Sequence, residues 1–256
     1  MKRTGWRLTA ILLMAAMALA ALSFPATAAT SEDNATLSDF AAFDRAFVPA
    51  LALSTQGRVA PAEQALQRAL AHWTAMQARL AEPYAADPRW VEEAGRVSAA
   101  LDSAGKHLAA GKSQEAHEAL ESVRLILWQA RDRHGVVYFG DLLTAYHEPM
   151  EAIALGTKGR TTLSDAELDR LSMLFAEARP LWKRVETFAF DPAPYGFDAK
   201  HTERLHALVS GETHALAALG RSLERRDVAA VLKLGPAIKP PFAGAVMLFG
   251  DFQGLQ

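Results

Sequence analysis

The sequence predicts an all-α protein, an antiparallel helical bundle of about seven helices that follows a cleaved signal peptide. Three observations predict it. Apolar residues recur at three- and four-residue spacing through most of the chain, and no stretch alternates apolar and polar residues over a useful length. Short turn-forming segments separate helical stretches of about 15 to 25 residues, which favours antiparallel neighbours.

The first 28 residues read as the signal peptide. Lys2, Arg3 and Arg7 precede an apolar run from Leu8 to Leu22, and Ala26-Thr27-Ala28 supplies the small residues of a cleavage site. The run is short for a membrane span, which needs about 20 apolar residues, so cleavage after Ala28 and a periplasmic location are expected, with no stable membrane insertion afterwards. The chain has no cysteine. That excludes a lipoprotein anchor, disulfides, thiolate metal sites and covalent haem attachment. Loss of residues 1–28 moves the formal net charge from -2 to -5, since it removes three basic groups and no acid. With no basic cluster in the remainder, a nucleic-acid partner is excluded as well.

Residues 29–37 read as a flexible polar leader, and 38–256 as the helical bundle domain. The first helix is expected from Ser38 to about Leu53, on the stripe Phe40, Phe43, Phe47 and Leu51, with Pro49 kinking or ending it. Pro61 opens a second helix to about Leu80, buried through Leu66, Leu70, Trp73 and Leu80. Asp87-Pro88 starts a third, whose stripe is Trp90, Ala94, Val97, Leu101, Ala104 and Leu108. Two further helices run from Ser113 to about Gly135 and from Val136 to Gly156. Ser164 and Glu167 form a capping-box pattern ahead of a sixth helix. An irregular aromatic and proline loop spans 187–198, with its aromatics expected to pack on the body. A seventh helix covers about Ala199–Arg225, Asp227 starts a short eighth, and a Pro-Pro tail spans 234–256 and is expected to break at Pro240 and Pro241.

The groups that could carry chemistry sit on three of these helices. His117 and Glu121, and His147 and Glu151, are each four residues apart, so each pair shares a helix face. Glu212 falls in the middle of the apolar stripe Leu205, Leu208, Val209, Leu216, Leu219 and Leu223, with His201 on the same line. A carboxylate there needs a partner, a proton or a cation. The partner reading is an Arg or His from another helix. The residue types suit a metal site of His117, Glu121, His147, Glu151 and Glu212, with zinc, iron or copper as the ion. Arg124, Trp128, Tyr146, Met150 and His201 are the accompanying ligand-binding candidates. Haem b, held by His147 or Met150, is the minor alternative. The spacing differs from the Glu-x-x-His of di-iron bundles.

No Gly-x-Ser-x-Gly, His-Glu-x-x-His or phosphate-cradling loop is present, so no catalytic residue is assigned and covalent catalysis is not expected. Two functions stay open. One is the binding of a metal ion or small ligand between the fourth, fifth and seventh helices, for handling or sensing. The other is a structural or protein-interaction module without a cofactor, whose His-Glu pairs are salt bridges.

Overall fold

A computed structural model of the protein describes residues 31–255, which form helices joined by turns, with no strand among the described residues. In chain order they are α1 (Ser31–Thr55), α2 (Val59–Leu80), α3 (Pro88–Ala109), α4 (Ser113–Arg133), α5 (Phe139–Thr157), α6 (Asp165–Thr187), α7 (Ala199–Glu224), α8 (Val228–Leu234) and α9 (Lys239–Met247). A 3-10 turn, Pro236–Ile238, joins the last two. The seven long helices are those that the apolar periodicity predicts. The expected signal peptide, 1–28, lies outside the described residues. No helix among those described is long and apolar enough to cross a membrane.

Two boundaries differ most from expectation, beside shifts of two and three residues at the starts of α2 and α5. The segment read as a flexible leader is helical from Ser31, seven residues before Ser38. It is polar, but it contains no Gly or Pro, so nothing stops a helix anchored by Phe40 and Phe43 from extending backwards. Pro240 and Pro241 do not break the tail. They lie in the first turn of α9, where a missing N–H leaves no helical bond unmade. Pro49 and Pro149 likewise sit within α1 and α5 without ending them.

Several helix ends follow from local chemistry. The Asp87 carboxylate accepts from the Arg89 N–H at 3.0 Å, with Pro88 beside it. Ser164 and Glu167 close the reciprocal capping box. Asp198 and Asp227 cap α7 and α8 by accepting from the backbone N–H groups of His201 and Ala230. Gly111 takes φ +71 after α3, and the next N–H, from Lys112, reaches back to the His107 carbonyl at 2.8 Å.

Helices α1 to α4 close on themselves: α1 packs on α2, α2 on α3, α3 on α4, and α4 returns to α1. Their short connections make successive neighbours antiparallel. Helices α5, α6 and α7 form a second group, to which α8 and α9 are added against α7. One apolar core runs through both groups. The aromatic residues of 188–198 turn inward, with Phe190 at 5.1 Å from Phe139 and 5.0 Å from Tyr195, and Phe197 at 5.0 Å from Phe249. The Phe139 N–H donates to the Tyr195 hydroxyl at 2.9 Å, which fixes the loop to the start of α5.

The two groups touch sparingly where α4 meets α5, and there the contact is ionic. Arg131 donates to both carboxylate oxygens of Asp141, at 2.8 and 2.5 Å, with side chains 3% and 9% exposed. The guanidinium also lies 4.7 Å from the Phe40 ring centre and 4.5 Å from that of Tyr138. Burial works against its charge, yet Asp141 and then Asp44 hold Arg131 above its ordinary range.

Removing one partner of such a pair strands the other and costs about 3–5 kcal/mol, whereas replacing both with apolar groups of like volume is often neutral. Asp141→Leu is therefore expected to lower stability by that amount, and Arg131→Met with Asp141→Leu to recover at least half of it, as read by urea unfolding. Equal losses in the single and double variants would contradict this account of the α4–α5 junction.

Candidate functional site

The seam between the two groups opens into a groove of about 520 Å³. Helices α1 and α4 supply one wall, and α5 and α9 the other. His117, Glu121, Arg124, His147 and Glu151 all line it, so the two His-Glu helices do face a common space. Each residue reaches it because it lies at the flank of its helix's apolar stripe, where the helix leaves the core. Val48, Leu51, Leu155, Phe242, Val246 and Met247 supply the apolar surface.

The polar groups form two linked clusters. On α4, Arg124 Nη2 donates to Glu121 Oε2 at 2.5 Å and to His147 Nδ1 at 2.9 Å. His117 completes this cluster, with Nε2 at 3.6 Å from Glu121 Oε1 and Nδ1 at 2.9 Å from the Thr55 hydroxyl. One helical turn further along α5, Lys239 Nζ from the first turn of α9 donates to Glu151 Oε1 at 2.6 Å. Two buried atoms of these clusters have no hydrogen-bond partner, Arg124 Nε and Glu151 Oε2. Behind Arg124 the groove shares Val48, Leu51 and Val246 with a small cavity of about 30 Å³, where Asp44, Arg131 and Tyr138 meet.

Burial, and next the Arg124 charge, pull His147 down to about 4, so the ring is neutral near pH 7. A guanidinium can only donate. His147 Nδ1 is therefore the acceptor, and Nε2 carries the proton.

These donors do not suit the zinc, iron or copper centre that the residue types suggest. Both carboxylates are already held by cations, Arg124 on Glu121 and Lys239 on Glu151. To bind a metal through Nε2, His147 would have to move its ring proton to Nδ1, which breaks the bond that Nδ1 accepts from Arg124. Among the described residues, no three His, Asp or Glu side chains converge as ligands. Met150 is fully buried in the core and does not line the groove.

The other expected site residues are dispersed. Glu212 is fully buried, and its partner is neither an Arg nor a His but the Tyr146 hydroxyl, which donates to Oε1 while Oε2 has no partner. Phe242 contacts both Tyr146 and His147, at 5.6 Å from each ring, and so stands between this pair and the groove. Trp128 lines a different depression, with Asp132 and Arg184. His201 is exposed at the start of α7, bonded through Nδ1 to Asp198 at 2.8 Å.

Sequence reasoning did not single out Lys239, Thr55 or Phe242. Lys239 and Phe242 flank the two prolines, and no periodicity marks them. Thr55 ends α1 just beyond its apolar stripe. Asp141 was likewise not singled out, and its partner Arg131 stood only as the continuation of the line from His117 through Glu121, Arg124 and Trp128.

The architecture thus defines an all-helical protein with a polar-floored groove at an internal seam. Compared with known family models, with curated proteins and with solved structures, the chain matches none.

Burial pushes Glu212 up to about 8, against a smaller lowering by the Tyr146 hydroxyl. The folded protein therefore retains a proton that the unfolded chain releases near the ordinary value of 4.5. The stability linked to that proton is full below about pH 4.5 and is lost as pH rises through about 8. Glu212→Gln keeps a neutral acceptor for Tyr146 at every pH. Its urea midpoint should track the wild type at about pH 5 and exceed it at about pH 9; an offset that stays constant across that range would show that Glu212 is charged in the fold.

Proposed function

We propose that this protein is an exported binding protein for a small amphipathic ligand, and that the groove between α1, α4, α5 and α9 is its site. Its role is handling or sensing, without covalent chemistry. The observation that carries this reading is the composition of the groove. About 520 Å³ of space combines a floor of ionic and imidazole groups with an apolar wall, and Leu155 and Met247 in its lining remain 61% and 39% exposed. That volume lies within the usual range of about 300–1,000 Å³ for small-molecule sites, which favour junctions between packed units. The N-terminal pattern of charge, apolar run and Ala26-Thr27-Ala28 supports export. Export is checked by the mass of the protein in a periplasmic extract, which should correspond to a chain beginning at Ala29.

The groove is tested by thermal unfolding of the mature protein with a panel of small carboxylates, amines, zwitterions and neutral amphiphiles. A ligand at a hundredfold excess over its Kd stabilises by about 2.7 kcal/mol, a rise of roughly 5–10 °C for a chain of this size. At least one class is expected to raise the midpoint of the wild type and to have no effect on Ala243→Trp or Ala52→Trp, which fill the groove from opposite walls. A panel without effect, or one that shifts the filled variants equally, overturns the reading.

A further inference from the structure

The groove carries its charges in opposed pairs. Arg124 and Lys239 are balanced by Glu121 and Glu151, so their formal sum is zero. A simple anion entering this space meets two carboxylates as well as two cations, and a simple cation meets the converse. Neither gains net attraction. A molecule bearing both charges can match the pattern, with its negative end on the cations and its positive end on the carboxylates.

The unpartnered atoms show the same duality. Arg124 Nε is a donor and Glu151 Oε2 an acceptor, both buried and both without a partner. A buried polar atom left unpaired is costly, and this site has one of each kind. The two atoms belong to the two clusters, whose α5 members His147 and Glu151 are four residues apart, about 6 Å along the helix. That spacing suits an ammonium and a carboxylate in one small molecule. Lys239 provides the movable part. Its side chain is 45% exposed while that of Glu151 is 22% exposed, so the lysine can swing out and leave Glu151 to a ligand ammonium. Leu155, Phe242, Val246 and Met247 then offer an apolar surface to the rest of the molecule.

We infer that the ligand of this groove is a small zwitterion with an apolar side chain, an amino acid or a dipeptide, whose ammonium replaces Lys239 on Glu151 and whose carboxylate is received by Arg124 and the released Lys239. This inference rests on the groove being the binding site. It names the class of ligand and makes Glu151 the group that selects for the amine.

Isothermal titration with L-phenylalanine, 3-phenylpropanoate and phenethylamine separates the contributions, and the Leu-Phe dipeptide with its N-acetyl derivative repeats the comparison at larger size. For at least one of the two zwitterions, binding is expected to be roughly tenfold tighter than for either analogue lacking one charge. Glu151→Gln, which leaves Lys239 without its carboxylate, should weaken that zwitterion roughly tenfold and bind 3-phenylpropanoate at least as tightly as the wild type does. Lys239→Met, which leaves Glu151 without its cation, should retain the zwitterion within about threefold and tighten phenethylamine roughly tenfold. Far-ultraviolet circular dichroism and unfolding midpoints matching the wild type confirm that each variant is folded. An analogue with a single charge that binds the wild type as tightly as the zwitterion overturns the inference, as does a Glu151→Gln variant that weakens all three compounds equally. If neither zwitterion binds while another panel compound still distinguishes the wild type from Ala243→Trp, the inference fails and the groove reading stands. If no panel compound does so, both fail.

Discussion

The junction of α4 with α5 is the constraint on which the rest of the structure depends. One apolar core runs through both groups of helices, but α4 and α5 themselves pack over only a short length. The junction is made instead by the bidentate pair of Arg131 and Asp141, with Phe40 of α1 and Tyr138 ahead of α5 pressed on the guanidinium. An ion pair fixes direction as well as distance, because both N–H groups must face both oxygens. It therefore sets how α5 leaves α4. The Tyr138 hydroxyl donates to Asp44 at 2.6 Å and ties the same junction to α1.

The groove follows from this arrangement. Helices α4 and α5 are pinned by Arg131 on Asp141 and bridged again by Arg124 on His147, and the groove opens beside that second bridge. Helix α9 returns over the opening, with Phe242 against His147 and Lys239 on Glu151. The small cavity at Arg131 and the larger groove at His117 share Arg124 between them. A single line of residues on α4 thus runs from a structural cation to a cation in the groove, and burial sets the difference. Arg131 is 3% exposed and gives Nε and Nη2 to Asp141, whereas Arg124 is 14% exposed and divides its donors between Glu121 and His147.

The long helices were legible because apolar stripes have only one use in a bundle. Phe40, Phe43 and Phe47, or Val97, Leu101 and Leu108, are buried as their spacing requires. Caps such as Asp87 and Ser164 with Glu167 were legible because the bonds that define them span three residues or fewer. The shared helix faces of His117 with Glu121 and of His147 with Glu151 were legible because each pair lies four residues apart on one helix. What could not be read was which groups would neutralise them. Lys239 lies 88 residues from Glu151, and Tyr146 lies 66 residues from Glu212. No local pattern records a partner chosen by tertiary packing. The sequence marks Glu212 as an anomaly on an apolar face, but not that a phenol would meet it and leave one oxygen bare.

That difference in partners separates Glu212 from Glu151 on physical grounds. Glu212 lies in an apolar core with one neutral donor, so the lowest-energy state near neutral pH keeps its proton, and the Tyr146–Glu212 pair carries no charge. Glu151 stands at a groove, 22% exposed, with Lys239 beside it. A bundle holding both at the centre of one metal site would need each carboxylate ionised and free of other cations. The fold separates them instead with the Phe242 ring. One glutamate becomes part of the core, and the other is left facing a space in which a second positive charge can take the place of the first.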